Sequence, residues 1–293
     1  MRLIGHQPLE YTEAALIAIG LAICATAIVR VARRRAWGEA FGIAPLPATS
    51  FSALDLLGYF LITNLIGMLC LSLLAPRAPT TAPASSQPGQ LIANAPANAA
   101  ANCLVPISGA ILILALVPSR VTGRFRGWGL DATSWRRAIL PGLLYYLAIW
   151  PFCAGALILT RAIILRFAPD HQFDEHATLN LLHAGHAGHA WIPVALTLGA
   201  VIAAPLGEEL FFRGMIQSML QRVTPSAWLG ALGAAVIFAA FHWNNPDTLP
   251  SMLIFGLALG VAFARTRSLA VPIIMHVCFN GKTILRLLLG APV

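Results

Sequence analysis

Apolar residues come in long runs along this chain, separated by short stretches that gather arginine, proline and asparagine. A helix needs roughly 20 consecutive apolar residues to cross a bilayer, and eight segments approach that length. They run from about Thr12 to Val29, Leu56 to Leu74, Leu104 to Val117, Ile139 to Ile164, Trp191 to Arg222, Ala227 to Trp243, Ser251 to Ala264 and Val271 to Leu289. The pattern predicts an all-α, polytopic transmembrane bundle of about eight spans. Pro151 interrupts the fourth span, and Gly256 and Gly260 give the seventh a GxxxG, which permits close helix approach. Between the second and third spans, Pro76 to Asn102 is rich in Pro, Ala, Ser, Thr and Asn and reads as a disordered linker without catalytic residues.

Composition agrees with a membrane protein. Of 293 residues 58% are hydrophobic and 10% charged, where soluble domains carry about 25% charged residues. Mean hydropathy is +0.76. The net charge of +8 is almost wholly arginine, Lys282 being the only lysine. Those arginines lie in short loops between apolar runs and form no single soluble face, so nucleic acid is not an expected partner. Membrane lipid and a peptide or protein are. The arginine clusters after spans one and three, with Arg222, Arg265 and Arg267, fall on one set of loops; Arg2, Arg77, Arg161 and Arg166 fall on the other. The richer set is expected to be cytoplasmic, with both termini outside. Trp128 and Trp135 read as interfacial anchors, the five cysteines as small core residues, and the first run as a retained span.

The chemistry gathers in the last third. Glu208 and Glu209 precede Arg213 within the fifth apolar segment, and ionisable groups at membrane depth are costly unless paired or facing a wet cavity. On a helix, Glu209 and Arg213 share a face and can pair; Glu208, rotated about 100°, has no partner on its own helix. Glu208 lies roughly 21 Å of helix from the turn at Thr224-Pro225-Ser226 and His242 roughly 24 Å beyond it, so an antiparallel hairpin brings both to similar depth. Phe238 is one turn before His242, and His276 and Asn280 share a face of the last span. A carboxylate and an imidazole can hold and deprotonate a water, while an imidazole and a carboxamide can donate to an oxyanion. Glu208, His242 and His276 are also a candidate ligand set for a catalytic metal such as zinc. Taken singly, each polar group also fits interhelical hydrogen bonding. The histidines at 183, 186 and 189, with Asp174, Glu175 and His176, read as a solvated loop.

Together Glu208-Glu209-x-x-x-Arg213, Phe238-x-x-x-His242 and His276-x-x-x-Asn280 resemble the three motifs of the CAAX prenyl endopeptidase/bacteriocin-processing (CPBP, or Abi) family of intramembrane proteases. The resemblance covers about Pro193 to Leu289, within a core drawn at residues 138–293; residues 1–137 carry no matching motif. It implies an intramembrane endopeptidase, in a prokaryotic cytoplasmic membrane, cutting near the C-terminus of prenylated or other membrane-associated chains. Glu208 and His242 would activate water, His276 and Asn280 line the oxyanion hole, and Glu209, Arg213 and Phe238 brace the site. Family members are often labelled metalloproteases, but a glutamate-activated water describes the known structure better. Prenyl-protein-processing members act on cytosolic tails, yet arginine counting puts the loop after His242 outside. Two other readings stand beside the enzyme: an idle relative serving as scaffold or bacteriocin-immunity factor, and a small transporter relaying protons through Glu208 and His242.

Overall fold

The computed structural model describes residues 7–34, 42–43, 45–75, 94–173, 181–182, 190–224 and 226–289. Eight main helices account for nearly all of them: α1 (Gln7–Arg34), α2 (Ala53–Leu74), α3 (Ala95–Arg120), α4 (Ala132–Phe167), α5 (Trp191–Val223), α6 (Ala227–Ala240), α7 (Leu249–Thr266) and α8 (Ala270–Leu288). Among the described residues seven helical segments are long and apolar enough to cross a membrane, and α6 is a shorter apolar helix. The chain is thus an all-α integral membrane protein. Pro151 does not break α4, which runs through it. The His183, His186 and His189 tract and Asp174 to His176 lie outside the described residues.

Packing sorts the helices into an inner and an outer group. Half of α7's most apolar window is buried against 6% of α1's. Leu54, Leu61, Met68 and Leu73 on α2 are well exposed, as expected of a surface turned to lipid, where apolar side chains need no protein cover. The central packing unit is α6 against α7. Its contact runs along the GxxxG: a Cβ on Gly256 would lie 3.0 Å from the Phe238 ring. That close approach exposes two glycine carbonyls to α5, and Arg213 and Gln217 each donate to one, Gly256 O and Gly260 O, both at 3.1 Å.

Two expectations about the first half need correction. The segment read as linker up to Asn102 is helical from Ala95, with Ala97 and Ala99 fully buried. Its small side chains let α3 press against α5, where Asn102 Nδ2 donates to Leu196 O at 3.0 Å. Trp128 is no interfacial anchor either. It is fully buried, stacked on Phe51 and packed over Gly214, whose missing Cβ would meet the indole at 2.8 Å.

The loops grouped together by their arginines meet at one end of the bundle. Arg120 pairs with Asp55 at 3.0 Å, and Asp55 closes the capping box of α2 with Ser52. Ser50 N–H donates to Arg120 O, Arg222 donates to the carbonyls of Thr49 and Phe51, and Leu269 N–H donates to Trp128 O. At the opposite end Arg161 pairs with Asp247 at 2.9 Å, and Glu13 accepts from Lys282 and Arg286.

Candidate active site

The helix that carries the paired glutamates winds irregularly. Within α5, Gly199–Ala203 and Glu209–Gln217 are π-helical, a rare winding that is frequent at functional sites. In the first of these, Ala204 N–H reaches back to Gly199 O, five residues earlier. The matching donor for Ala200 O would be residue 205, a proline with no N–H. Asn280 Nδ2 supplies that bond from α8 at 2.8 Å. Close contact with α3 then fixes the next turn: a Cβ on Gly207 would stand 2.7 Å from Pro106 O. Glu208 follows directly.

Glu209 is the hub. Its side chain and that of Arg213 are both 0% exposed, and its Oε1 accepts from Arg213 Nη1 at 2.7 Å and from His276 Nδ1 at 2.8 Å. The Arg213 guanidinium lies over the Phe238 ring at 4.4 Å. Phe238 in turn touches both imidazoles, with centroids 4.8 Å from His242 and 5.8 Å from His276. One buried ion pair therefore fixes one histidine by a hydrogen bond and both through a shared aromatic wall.

Glu208 differs. Its side chain is 31% exposed, its Oε2 makes no hydrogen bond, and it stands 3.8 Å from His276 Nε2. That gap is beyond direct hydrogen-bonding distance. His276 thus spans the two glutamates, bonded to one and facing the other. His242 lies just past the end of α6, its Nδ1 2.9 Å from Phe238 O. A carbonyl only accepts, so Nδ1 carries the proton and Nε2 of neutral His242 is left with a lone pair. α6 has 14 residues, about 21 Å of helix and short of the roughly 30 Å hydrocarbon core, so His242 falls at membrane depth.

Glu208, His242, His276 and Asn280 all line one cavity of about 830 Å³. A second cavity of about 310 Å³, walled by Phe211, Phe212 and Phe241, shares Glu208 and His242 with it. The carboxylate and imidazole stand at the junction. All four candidates named from the sequence are therefore brought together, and the three bracing residues pack directly behind them. Sequence reasoning missed Tyr59 of α2 and Asn102 of α3, which also line the larger cavity, and Tyr59 lines both. It also missed Gln217, which repeats Arg213's bond one turn on. Tyr59 has no motif around it; Asn102 was hidden in a stretch whose composition imitates a linker.

As a metal site the donor set is incomplete. A histidine held at Nδ1 by a carboxylate is common around metals, but among the described residues no group of three His, Cys, Asp or Glu side chains is placed to hold an ion.

The fold and the site together define an integral membrane protein with a carboxylate–imidazole centre buried among its last four helices. Residues 190–281 match the family described as Type II CAAX prenyl endopeptidase Rce1-like, so this part of the chain is an Rce1-like domain, in agreement with the three motifs. Over 101 residues the chain is 38% identical to a protein of Escherichia coli described as an uncharacterized 24.3 kDa protein; the match covers 33% of this chain and 45% of that relative. No solved structure matches the chain.

Proposed function

We propose that the protein is an intramembrane endopeptidase that hydrolyses peptide bonds with a water activated by Glu208 and His242. One observation carries the reading: a carboxylate whose Oε2 has no hydrogen bond, two oriented imidazoles and a carboxamide wall the same cavity, in a membrane interior where such groups are expensive. The Rce1-like domain supports it.

In this reading a water donates one hydrogen to the Glu208 carboxylate and the other to His242 Nε2, which turns its lone pair toward the substrate carbonyl. The water oxygen bonds to the carbonyl carbon as Glu208 takes a proton, leaving a tetrahedral oxyanion. Asn280 has a second N–H beyond the one bonded to Ala200 O and can donate to that oxyanion. His276 donates Nδ1–H to Glu209, so it donates from Nε2 as well only as an imidazolium, flanked by Glu209 and Glu208. Collapse of the intermediate breaks the C–N bond, the amine leaves with the proton from Glu208, and the products are a carboxylic acid and an amine.

The substrates proposed are membrane-associated peptides or proteins cut near their C-termini, prenylated chains among them. The test is cleavage of an apolar peptide library by purified protein in proteoliposomes, read by mass spectrometry. Wild type produces new termini with no ion gradient imposed, and Glu208→Gln does not. Cleavage retained by Glu208→Gln would remove the proposed base. A phenotype in cells that survives Glu208→Ala would favour a scaffold, and proton-coupled uptake without cleavage would favour a transporter.

A further inference from the structure

α2 turns much of its surface to lipid, yet one of its residues reaches the place where the two cavities meet. Tyr59, Glu208, His242 and Asn245 line both cavities. Glu208 and His242 are the proposed water-activating pair, and Asn245 lies in the turn between α6 and Pro246–Thr248. Tyr59 comes from a different part of the chain. It stands on the inward stripe of α2, four residues from buried Asp55 and four from buried Thr63, and α2 lies outside the matched residues 190–281. Its ring is held from two sides. It stacks on Phe211 of α5, with centroids 4.2 Å apart and planes 16° from parallel, and Phe211 follows Glu208 by three residues. Against α3, a Cβ on Gly109 would lie 2.6 Å from the ring and 3.1 Å from its oxygen, so a glycine there leaves the phenol its place. The Glu208 charge acts on the phenol. Among the described residues the hydroxyl has no hydrogen-bond partner. Phenylalanine would serve for packing alone, and a phenol O–H withdrawn from bulk water normally finds a partner.

We propose that Tyr59 is the third group that holds the attacking water, its hydroxyl donating to the water oxygen that Glu208 and His242 orient. The inference rests on the hydrolase reading. A water that donates one hydrogen to Glu208 and the other to His242 Nε2 keeps two lone pairs. Held by two anchors alone it swings about the line between them, and neither lone pair has a fixed direction. A donor at the junction occupies one lone pair and so aims the other at the substrate carbonyl, the near-attack geometry that hydrolysis needs. Tyr59 keeps its own proton throughout. Glu208 takes a proton from the water, the water oxygen bonds to the carbonyl carbon, and the phenol O–H stays on that same oxygen in the tetrahedral intermediate. A neutral phenol suits the place because it donates without bringing a positive charge beside Glu208. A lysine or arginine there would pair with the carboxylate and weaken it as a base.

The test is the kinetics of cleavage of an apolar library peptide by the full chain in proteoliposomes, wild type against Tyr59→Phe, which keeps the ring and its stack on Phe211. The variant is expected to lose roughly ten-fold in kcat, the weight of one hydrogen bond on the reacting oxygen, with KM and thermal unfolding close to wild type. A raised KM with kcat unchanged would make Tyr59 a substrate-binding contact, and kinetics equal to wild type would make it packing. Either result overturns the proposal and leaves the hydrolase reading intact, provided Glu208→Gln is inactive on the same peptide. A wild type that cleaves nothing removes the hydrolase reading and this proposal with it. If Tyr59→Phe loses activity together with its fold, a second measurement decides. 3,5-Difluorotyrosine at position 59 keeps the shape of the side chain and ionises at lower pH. Only the neutral phenol can donate, so kcat is expected to decline at a lower pH than in wild type. Glu208 and His242, the other titratable groups at the junction, are present in both proteins, so the difference between the two profiles belongs to the phenol. Superimposed profiles overturn the proposal.

Discussion

Two adjacent glutamates should behave in opposite ways when each is changed to glutamine. Glu209→Gln removes a charge that is fully buried, bonded to Arg213 at 2.7 Å and to His276 at 2.8 Å. Arg213 then keeps a buried guanidinium with Gly256 O and the Phe238 and Phe212 rings against it and no carboxylate bonded to it. Removing one partner of a buried ion pair costs about 3–5 kcal/mol, because the remaining charge is uncompensated. The glutamine carbonyl can still accept one bond, so about 3 kcal/mol is the expected loss. Glu208→Gln removes a carboxylate whose Oε2 has no hydrogen bond and whose nearest charged-group contact is 3.8 Å away. Its removal should change stability by less than about 1 kcal/mol, because no hydrogen bond to Oε2 is lost with it. The assay is intrinsic tryptophan fluorescence against temperature in detergent, paired with peptide cleavage on the same preparations. Glu209→Gln should unfold well below wild type. Glu208→Gln should unfold with wild type and lose cleavage by at least about 100-fold, the low end for removing a general base. Equal destabilisation by both variants, or an active and stable Glu209→Gln, would refute the division of labour between the two carboxylates.

Other consequences are as direct. Asn280→Ala should cost about 1–3 kcal/mol by orphaning Ala200 O, and much less in a Pro205→Ala background, where residue 205 regains an N–H; a double-mutant cycle with no coupling would sink the explanation. Gly207→Ala should destabilise by about 1–3 kcal/mol and lower cleavage, since its methyl meets the Pro106 carbonyl at 2.7 Å; an unaltered thermal scan would contradict the packing. Chelation by EDTA or phenanthroline should leave cleavage unchanged, because no three donor side chains converge among the described residues; loss of activity restored by added zinc would reverse that expectation. Reporter fusions should place the Arg124–Gly127 turn in the cytoplasm and the Pro246–Thr248 turn outside; the opposite result would overturn the arginine-based orientation.

The helices were readable because lipid demands long apolar runs, and the three motifs because an ionisable group in such a run has few structural reasons to be there. Pairs four apart on one helix, such as Glu209 with Arg213 and Phe238 with His242, were readable for the same reason: spacing alone puts them on one face. What escaped were features that depend on the partner across the gap. Ala97 and Ala99 look like linker residues until α5 is laid against them. Trp128 looks like an interfacial anchor until Gly214 opens a place for its indole. The π winding of α5 leaves no mark in composition, although Pro205 is its trace: a proline that withholds one N–H is what makes Asn280's bond to Ala200 O necessary. Glu13 and Lys282 are 269 positions apart, and no local pattern relates them.

The orientation of the cavity follows from the same contacts. The loops joined by Arg120, Arg222 and Trp128 form one end of the bundle, the end that the distribution of arginine predicts to be cytoplasmic. The residues that continue the large cavity away from Glu208, namely Glu13, Arg161, Lys282 and Arg286, belong to the other end. His242 stands toward this side too, because α6 runs away from the Arg222 turn and the chain beyond it leads to Pro246–Thr248. The large cavity therefore continues from Glu208 toward the end that arginine counting predicts to be non-cytoplasmic. The conflict between arginine counting and a cytosolic prenylated tail is thereby sharpened: on the orientation the arginines predict, the large cavity leads away from the arginine-rich end.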